Sequence, residues 1–295
     1  MTMLDVICAG QAVLDCITRG KEKEPYKPNV YRADTIRLHP GGDAVNESMA
    51  LAGLGVRAAA VCGLGNDVAG NLLVDALNRA GVDTGRVCRA PIDTPIANLQ
   101  VAVDGSRVSI NSNATRLEGF RIDPALVKGA RVVSLASLFR PPLLDPDVIR
   151  ALIRTAKADG AVVCCDTKLP LGKPVTLDEL RDVLPLIDYI FPNEKEAAFY
   201  TGETDCAEMA RAIHARGVRN VVVKAGPDGC YICGEGEAAH LPAVPVPDVV
   251  DTTGAGDNFV AGFIAGILRG DGLRACAEAG LRQAARSITH TGGGR

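Results

Sequence analysis

The sequence of 295 residues predicts a layered α/β fold, a mainly parallel sheet with helices on both faces and a smaller β-sheet over one edge. Three observations predict it. Short runs rich in valine, isoleucine and alanine recur along the chain, segments of helical period lie between them, and two stretches alternate polar with apolar residues outside that rhythm.

In chain order, the runs from Leu4 to Ala9, Ala58 to Cys62, Arg131 to Leu135, Ala161 to Cys165, Tyr189 to Phe191 and Asn220 to Lys224 predict strands. They are apolar rather than alternating, as strands buried on both faces must be. The segments from Asn46 to Leu54, Gly70 to Ala80, Pro146 to Asp159, Glu194 to Thr201, Cys206 to Arg216 and Asn258 to Leu268 carry apolar residues at helical spacing. Strand and helix in alternation imply parallel pairing through crossover helices. The polar stretch from Cys16 to Pro40 alternates around Tyr31 to Leu38, and Ile96 to Asn111 alternates again about a turn at Asp104-Gly105. These predict a separate small sheet, a lid formed by segments about 16–40 and 94–113 of one domain spanning 1–295.

The net charge is 32 minus 35, or −3, and 47% hydrophobic with 23% charged residues is the balance of a globular chain with a packed core. A pI near 5.9 gives no general attraction to phosphate backbones or anionic lipid, so neither nucleic acid nor membrane is an expected partner. No run of about 18 residues stays apolar enough to span a bilayer. Met1 to Gln11 lacks the basic lead and cleavage site of a signal peptide. Ten cysteines without regular spacing suit reduced thiols, and a cytoplasmic protein is expected. Cys230 and Cys233 form a C-x-x-C with no second pair or C-x-x-H at a zinc spacing, which argues against a metal site there.

The chemistry concentrates in Asp251-Thr252-Thr253-Gly254-Ala255-Gly256-Asp257, followed by an apolar helix with Phe259, Phe263, Ile264 and Ile267 on one face. Gly254 and Gly256 let backbone N–H groups turn toward one point where a helix begins, which makes an anion hole. Asp257 beside it can take the proton of a hydroxyl that attacks a phosphoryl group held there. A carboxylate at a helix N-terminus is expected to be stabilised as the anion and hence a weak base, a mild objection where proton transfer comes late. Read alone, G-x-G-D is a strand-to-helix turn with Asp257 as its cap.

That segment and its helix closely resemble the C-terminal signature of the ribokinase-like carbohydrate kinases, the PfkB family. Pro40-Gly41-Gly42-Asp43-Ala44-Val45-Asn46 resembles the family's other signature, a Gly-Gly pair with an asparagine a few residues later. The resemblance covers essentially the whole chain, from Asp15 to the loop at Gly292. It implies a ribokinase-like fold and an ATP-dependent kinase that transfers the γ-phosphoryl group to a hydroxyl, by expectation primary, of a small sugar such as ribose, fructose or a related acid.

Under that resemblance Asp257 is the base and Gly254, Ala255 and Gly256 form the hole. Asp15, Gly41, Gly42 and Asn46 bind the acceptor: the glycines admit backbone close to a polyol, Asn46 offers donors and an acceptor, and a carboxylate accepts two hydroxyls. Pro192-Asn193-Glu194-Lys195-Glu196 is similar to the N-x-x-E motif used near Mg²⁺ and the nucleotide phosphates, which implies Asn193 at the nucleotide and Glu196 at the metal. Lys224-Ala225-Gly226 aligns with the nucleotide-contacting turn, where relatives commonly carry threonine. Ser287 to Gly293, with His290 and Gly292, resembles the loop that borders the adenine and in some members helps bind a monovalent cation, K⁺. A homodimer joined through the lid is also implied. Plainer alternatives are Asp15 as a solvated loop residue, Gly41-Gly42 as a turn before a capped helix, Glu194, Lys195 and Glu196 as first-turn helix charges, Lys224 as a strand end in solvent and His290 as a surface residue.

Gly63-Leu64-Gly65 to Gly70 misplaces the third glycine of a dinucleotide loop and is expected to be a loop before a helix. Neither a P-loop nor a protein-kinase signature occurs. Nucleoside kinases of the same fold are rivals, although the lid segments supply as aromatics only Tyr26 and Tyr31 to hold a base. Arg140 can pair with an acidic sugar. A non-catalytic sugar-sensing protein is the rival from another class.

Overall fold

The computed structural model describes residues 4–23, 29–102, 107–112, 117–170 and 175–289. Its strands in chain order are β1 Leu4–Ala9, β2 Val13–Lys23, β3 Tyr31–Arg32, β4 Thr35–Gly41, β5 Ala58–Val61, β6 Gly63–Gly65, β7 Cys88–Ala90, β8 Ile96–Ala102, β9 Arg107–Asn111, β10 Ala130–Leu138, β11 Val162–Thr167, β12 Tyr189–Phe191, β13 Asn220–Lys224, β14 Cys230–Gly234 and β15 Glu237–Leu241. The α-helices are α1 Asp43–Gly53, α2 Val68–Arg79, α3 Pro146–Ala158, α4 Glu194–Thr201, α5 Cys206–His214, α6 Ala255–Arg269 and α7 Leu273–Ser287.

The six predicted strands pair in parallel in the order β5-β1-β10-β11-β12-β13, and β14 and β15 extend the sheet antiparallel. Alternate side chains feed two layers. Ile7, Val133, Val163 and Val221 pack with α3 and α5 through Ile149, Ile153, Met209 and Ile213. Val6, Val132, Cys164 and Val222 pack with α1, α6 and α7 through Leu51, Phe263 and Cys276. Burial on both faces explains why these strands read as unbroken apolar runs. Cys230 and Cys233 fall in different layers and are free thiols, so the C-x-x-C is no shared site.

The second sheet has β2 at its centre, with β3 and β4 antiparallel along one side and β8 parallel on the other, followed by antiparallel β9. Asp15 lies opposite His39 and Ala97, Leu99 opposite Ser109, and Ala97 opposite Asn111. Asp15, Ala97, Leu99, Ser109 and Asn111 therefore share the face that lines the cleft. Ile36, Leu38, Ile96, Val108 and Ile110 are exposed on the other face. The predicted turn at Asp104-Gly105 and Tyr26 lie outside the described residues.

One expectation and one plainer alternative change, and three elements are new. Gly63–Gly65 is a strand parallel to β7 rather than a loop, because Leu64 is fully buried and the side chains of Arg89 and Thr94 satisfy the backbone of Gly65. Asp15 sits within β2 rather than in a loop after the first strand. The last helix, α7, was not foreseen, nor were β14 and β15; α7 packs closely on α6, where a Cβ at Gly280 would lie 2.8 Å from the carbonyl of Phe259.

Candidate active site

Gln11, Lys168, Asn193 and Lys224 stand at or just beyond the C-terminal ends of β1, β11, β12 and β13 and line one cleft of about 1170 Å³ beneath the second sheet. Ligands bind at this edge in open parallel sheets because the backbone there is free to turn. The residues of both glycine motifs, Gly42, Asn46 and Thr252 to Asp257, line the same cleft.

Helix α6 starts at Gly254, whose φ of 73° is left-handed and which offers no side-chain cap. Ala255 N–H donates to the Thr252 carbonyl at 3.3 Å, and the rest of the first turn stands at the cleft, where the helix dipole favours negative charge. The turn is braced from behind. Asp251 Oδ1 accepts from the backbone N and Oγ1 of Thr253 at 3.0 and 2.7 Å, and Arg19 Nη2 of β2 donates to Asp251 Oδ2 at 2.9 Å. Asn258 Nδ2 donates to the carbonyl of Gly254 at 3.0 Å, and Gln283 Nε2 of α7 donates to Asn258 Oδ1 at 3.1 Å.

Asp257, 4% exposed, accepts from Asn46 Nδ2 at 2.7 Å, a bond that joins the two motifs across 211 positions of sequence. Burial lifts its carboxyl to about 7; Asp43 pushes the same way, and Lys168 and the Asn46 bond oppose the rise. The expectation of a weak base is therefore corrected: desolvation and a neighbouring carboxylate outweigh the helix terminus. Asn46 Oδ1 is buried without a partner among the described residues, which suits an incoming hydroxyl. Burial and Asp43 lift Asp15 to about 7 as well. A Cβ at Gly41 would lie 2.2 Å from Asp15 Oδ2, and Gly42 has φ of 89° with the Gln11 carbonyl 2.5 Å from where its Cβ would be. Backbone and φ require glycine at Gly42, whereas a side chain at Gly41 would displace the Asp15 carboxyl.

At the other end, Asn193 and Glu196 form a reciprocal cap at the start of α4, each side chain accepting from the other's backbone N–H at 3.0 Å. Asn193 Nδ2 and Thr167 Oγ1 also donate to Glu196, at 2.7 and 3.0 Å. Burial raises Glu196, as does Asp166, with Lys224 opposing. With both oxygens engaged, this carboxylate fits a hydrated divalent ion met through water and phosphate oxygens better than direct ligation. Lys224 Nζ pairs with Asp166 Oδ2 at 2.6 Å and lies 3.3 Å from where a Cβ of Gly256 would stand, so its ammonium sits over the anion hole rather than in solvent. Gly226 lines the cleft. Of the expected K⁺ loop, Ser287 ends α7 and the carbonyl of Ile288 accepts from the backbone N–H of Val250 and Asp251 at 2.8 and 3.3 Å, whereas His290 to Gly293, Gly292 included, lie outside the described residues.

The motifs did not point to Asp43, Asp166, Lys168, Arg19, Asn258 or Gln283. For Asp166 and Lys168 a signal was present: polar residues closing an apolar strand, at the edge where parallel sheets bind ligands.

One cleft thus brings together a helix start without a side-chain cap, a buried carboxyl on its first turn and an amide bonded to that carboxyl. The sequence profile described as pfkB family carbohydrate kinase matches residues 3–295, and the chain belongs to that family. It is a sugar or nucleoside kinase. A ribokinase of Haemophilus influenzae is 28% identical over 260 residues, 85% of this chain and 82% of the relative. A cytidine kinase of Thermococcus kodakarensis is 38% identical over 109 residues, 36% of this chain and 39% of the relative. The structure of Arabidopsis thaliana ribokinase complexed with ribose and ATP superposes with a TM-score of 0.83 at 25% identity, covering 99% of this chain and 94% of that one.

Proposed function

We propose that the protein transfers the γ-phosphoryl group of ATP to a hydroxyl, primary by preference, of a small sugar or sugar acid. The bond between Asn46 and Asp257 carries this reading, since it sets a hydroxyl-binding amide against a carboxyl that titrates near neutrality, beside the anion hole. Asn46 Oδ1, Asp15 and the backbone at Gly41-Gly42 hold the acceptor. Asp257 orients the attacking hydroxyl and takes its proton, and the N–H groups from Gly254 to Gly256 meet the charge on the phosphoryl oxygens. Lys224, Asn193 and Gly226 face the nucleotide phosphates. Mg²⁺, when bound near Glu196 and Asn193 through water, neutralises phosphate charge.

The second sheet acts as a lid: it forms the acceptor wall and closes water away, which matters because water competes as acceptor. Its outer face of Ile36, Leu38, Val108 and Ile110 would pair with a second copy as a homodimer. A cytoplasmic setting agrees with ten free thiols and with the lack, among the described residues, of a helix long and apolar enough to cross a membrane. Among the described residues that line the cleft none is aromatic, which favours a sugar over a nucleoside, whose base needs a stacking surface. Arg140 lines the same cleft and is available to an acidic sugar.

ADP formation with ribose, fructose, 2-keto-3-deoxygluconate and adenosine tests the reading. A sugar or sugar acid should lead by at least about tenfold in kcat/KM. Preference for adenosine would make the protein a nucleoside kinase, and sugar binding without ADP release across the panel would make it a sensor.

A further inference from the structure

Lys168 follows β11 and belongs to neither glycine motif, yet it lines the cleft together with Asp43, Asn46 and Asp257. Its backbone is fixed on both sides, the N–H donating to Leu138 O at 3.1 Å and the carbonyl accepting from the hydroxyl of Tyr200. Nζ lies 3.3 Å from Asp43 Oδ1, and the lysine side chain is 32% exposed. Asp43 opens α1 one turn before Asn46, so it is fixed to the same rigid element that holds Asp257 by hydrogen bond.

The charges that face Asp257 come from several elements. Asp43 and the buried Glu47 stand on α1, Asp166 and Lys168 at the end of β11, and Lys224 at the end of β13 beside the start of α6. Glu196 on α4 acts on Lys168. Acids outnumber cations here, and the transferring phosphoryl group brings more negative charge.

We propose that Lys168 and Asp43 are positioning residues of the transfer step: an opposed pair in which Lys168 supplies the cation that holds Asp257 ready as an anion and Asp43 acts against it. The inference rests on Asp257 being the base of the proposed kinase. Its sign follows from the charges of the two groups, which are paired at 3.3 Å and line the same cleft as Asp257. Without the ammonium of Lys168, Asp43 loses its partner and Asp257 keeps only the Asn46 bond and Lys224, itself paired with Asp166, against the surrounding acids, so it binds its proton more tightly. Without the charge of Asp43, Lys168 is freed toward Asp257 and the proton is held less tightly. A pair that merely braced the cleft would make the two substitutions equivalent, since either one breaks the same bridge.

The experiment uses the full chain with its preferred sugar, ATP and Mg²⁺. Lys168→Met should lower kcat by about a hundredfold with acceptor KM changed less than about threefold, and Lys168→Arg should restore part of the rate. The acid limb of kcat/KM should move up by about one pH unit in Lys168→Met and down in Asp43→Asn. The carboxyl carbon resonance of Asp257, titrated by NMR in the same folded variants, separates the two layers of argument. Opposite NMR shifts with no change in the kinetic limb would uphold the pair and remove Asp257 from the base role. Shifts in the same direction, or none, would overturn the pair whatever the kinetics show.

Discussion

The helix starts of this molecule are of two kinds. Asp67, Asp145 and Asp205 cap α2, α3 and α5 with their own side chains, accepting from backbone N–H groups of the first turn. Gly42 and Gly254 begin α1 and α6 at φ of 89° and 73° with no side-chain cap, and both face the cleft. Capping satisfies groups that would otherwise cost stability. Where side-chain capping is withheld at the cleft, backbone carbonyls take one N–H group at each start, Gln11 O from Ala44 at 3.2 Å and Thr252 O from Ala255 at 3.3 Å, and the rest of the first turn is left for a ligand. Helix α4 is intermediate: it reaches the cleft, but Asn193 and Glu196 occupy each other, so it meets a nucleotide by side chain and not by open backbone. Helix α7 also starts at a glycine, Gly272, yet in extended backbone away from the cleft lining.

The strongest way to break this comparison is Gly254→Ala. A side chain at φ of 73° costs about 1–2 kcal/mol and tilts the N–H groups of α6, and kcat should fall by about 10² to 10³. Rates within about threefold of the parent would mean that the hole is not where phosphoryl charge develops.

The pH dependence of stability sharpens it. Asp257 titrates near 7 in the fold, above its ordinary value, so the stability linked to its protonated form is present in acid and is lost as pH rises through 7. Asp257→Asn should melt a few degrees above the parent at about pH 8, with a smaller gap at about pH 5. Equal melting temperatures at both values would argue against a strained site carboxyl. The smallest effect on turnover belongs to the opposite kind of helix start: Asp145→Ala should lose about 1 kcal/mol of stability by denaturant titration with kcat unchanged.

What was legible in sequence follows the same division. Buried strands announced themselves because both faces need apolar residues, and the two glycine motifs because a turn without side chains leaves a mark in the chain. Asp166 and Lys168 left only a faint mark, polar residues closing an apolar strand, and Asp43 left none: a charged residue at the end of a strand looks the same whether it faces solvent or other charges, and what distinguishes them is partners brought from distant positions. The protonation of Asp257 was misread for that reason. Its helix terminus is local and visible, whereas its burial under α1 and its neighbour Asp43 are products of the fold. The last helix escaped because its role is to pack on α6 and support Asn258 through Gln283.

The most direct test of the account is Asp257→Asn, which leaves an oxygen for Asn46 Nδ2 to donate to and removes the proton acceptor. With the preferred acceptor, calorimetry should give a Kd within about threefold of the parent while ADP formation falls by about a thousandfold. A variant that turns over at the parent's rate would contradict the central claim that a buried carboxyl beside an uncapped helix steers the attacking oxygen.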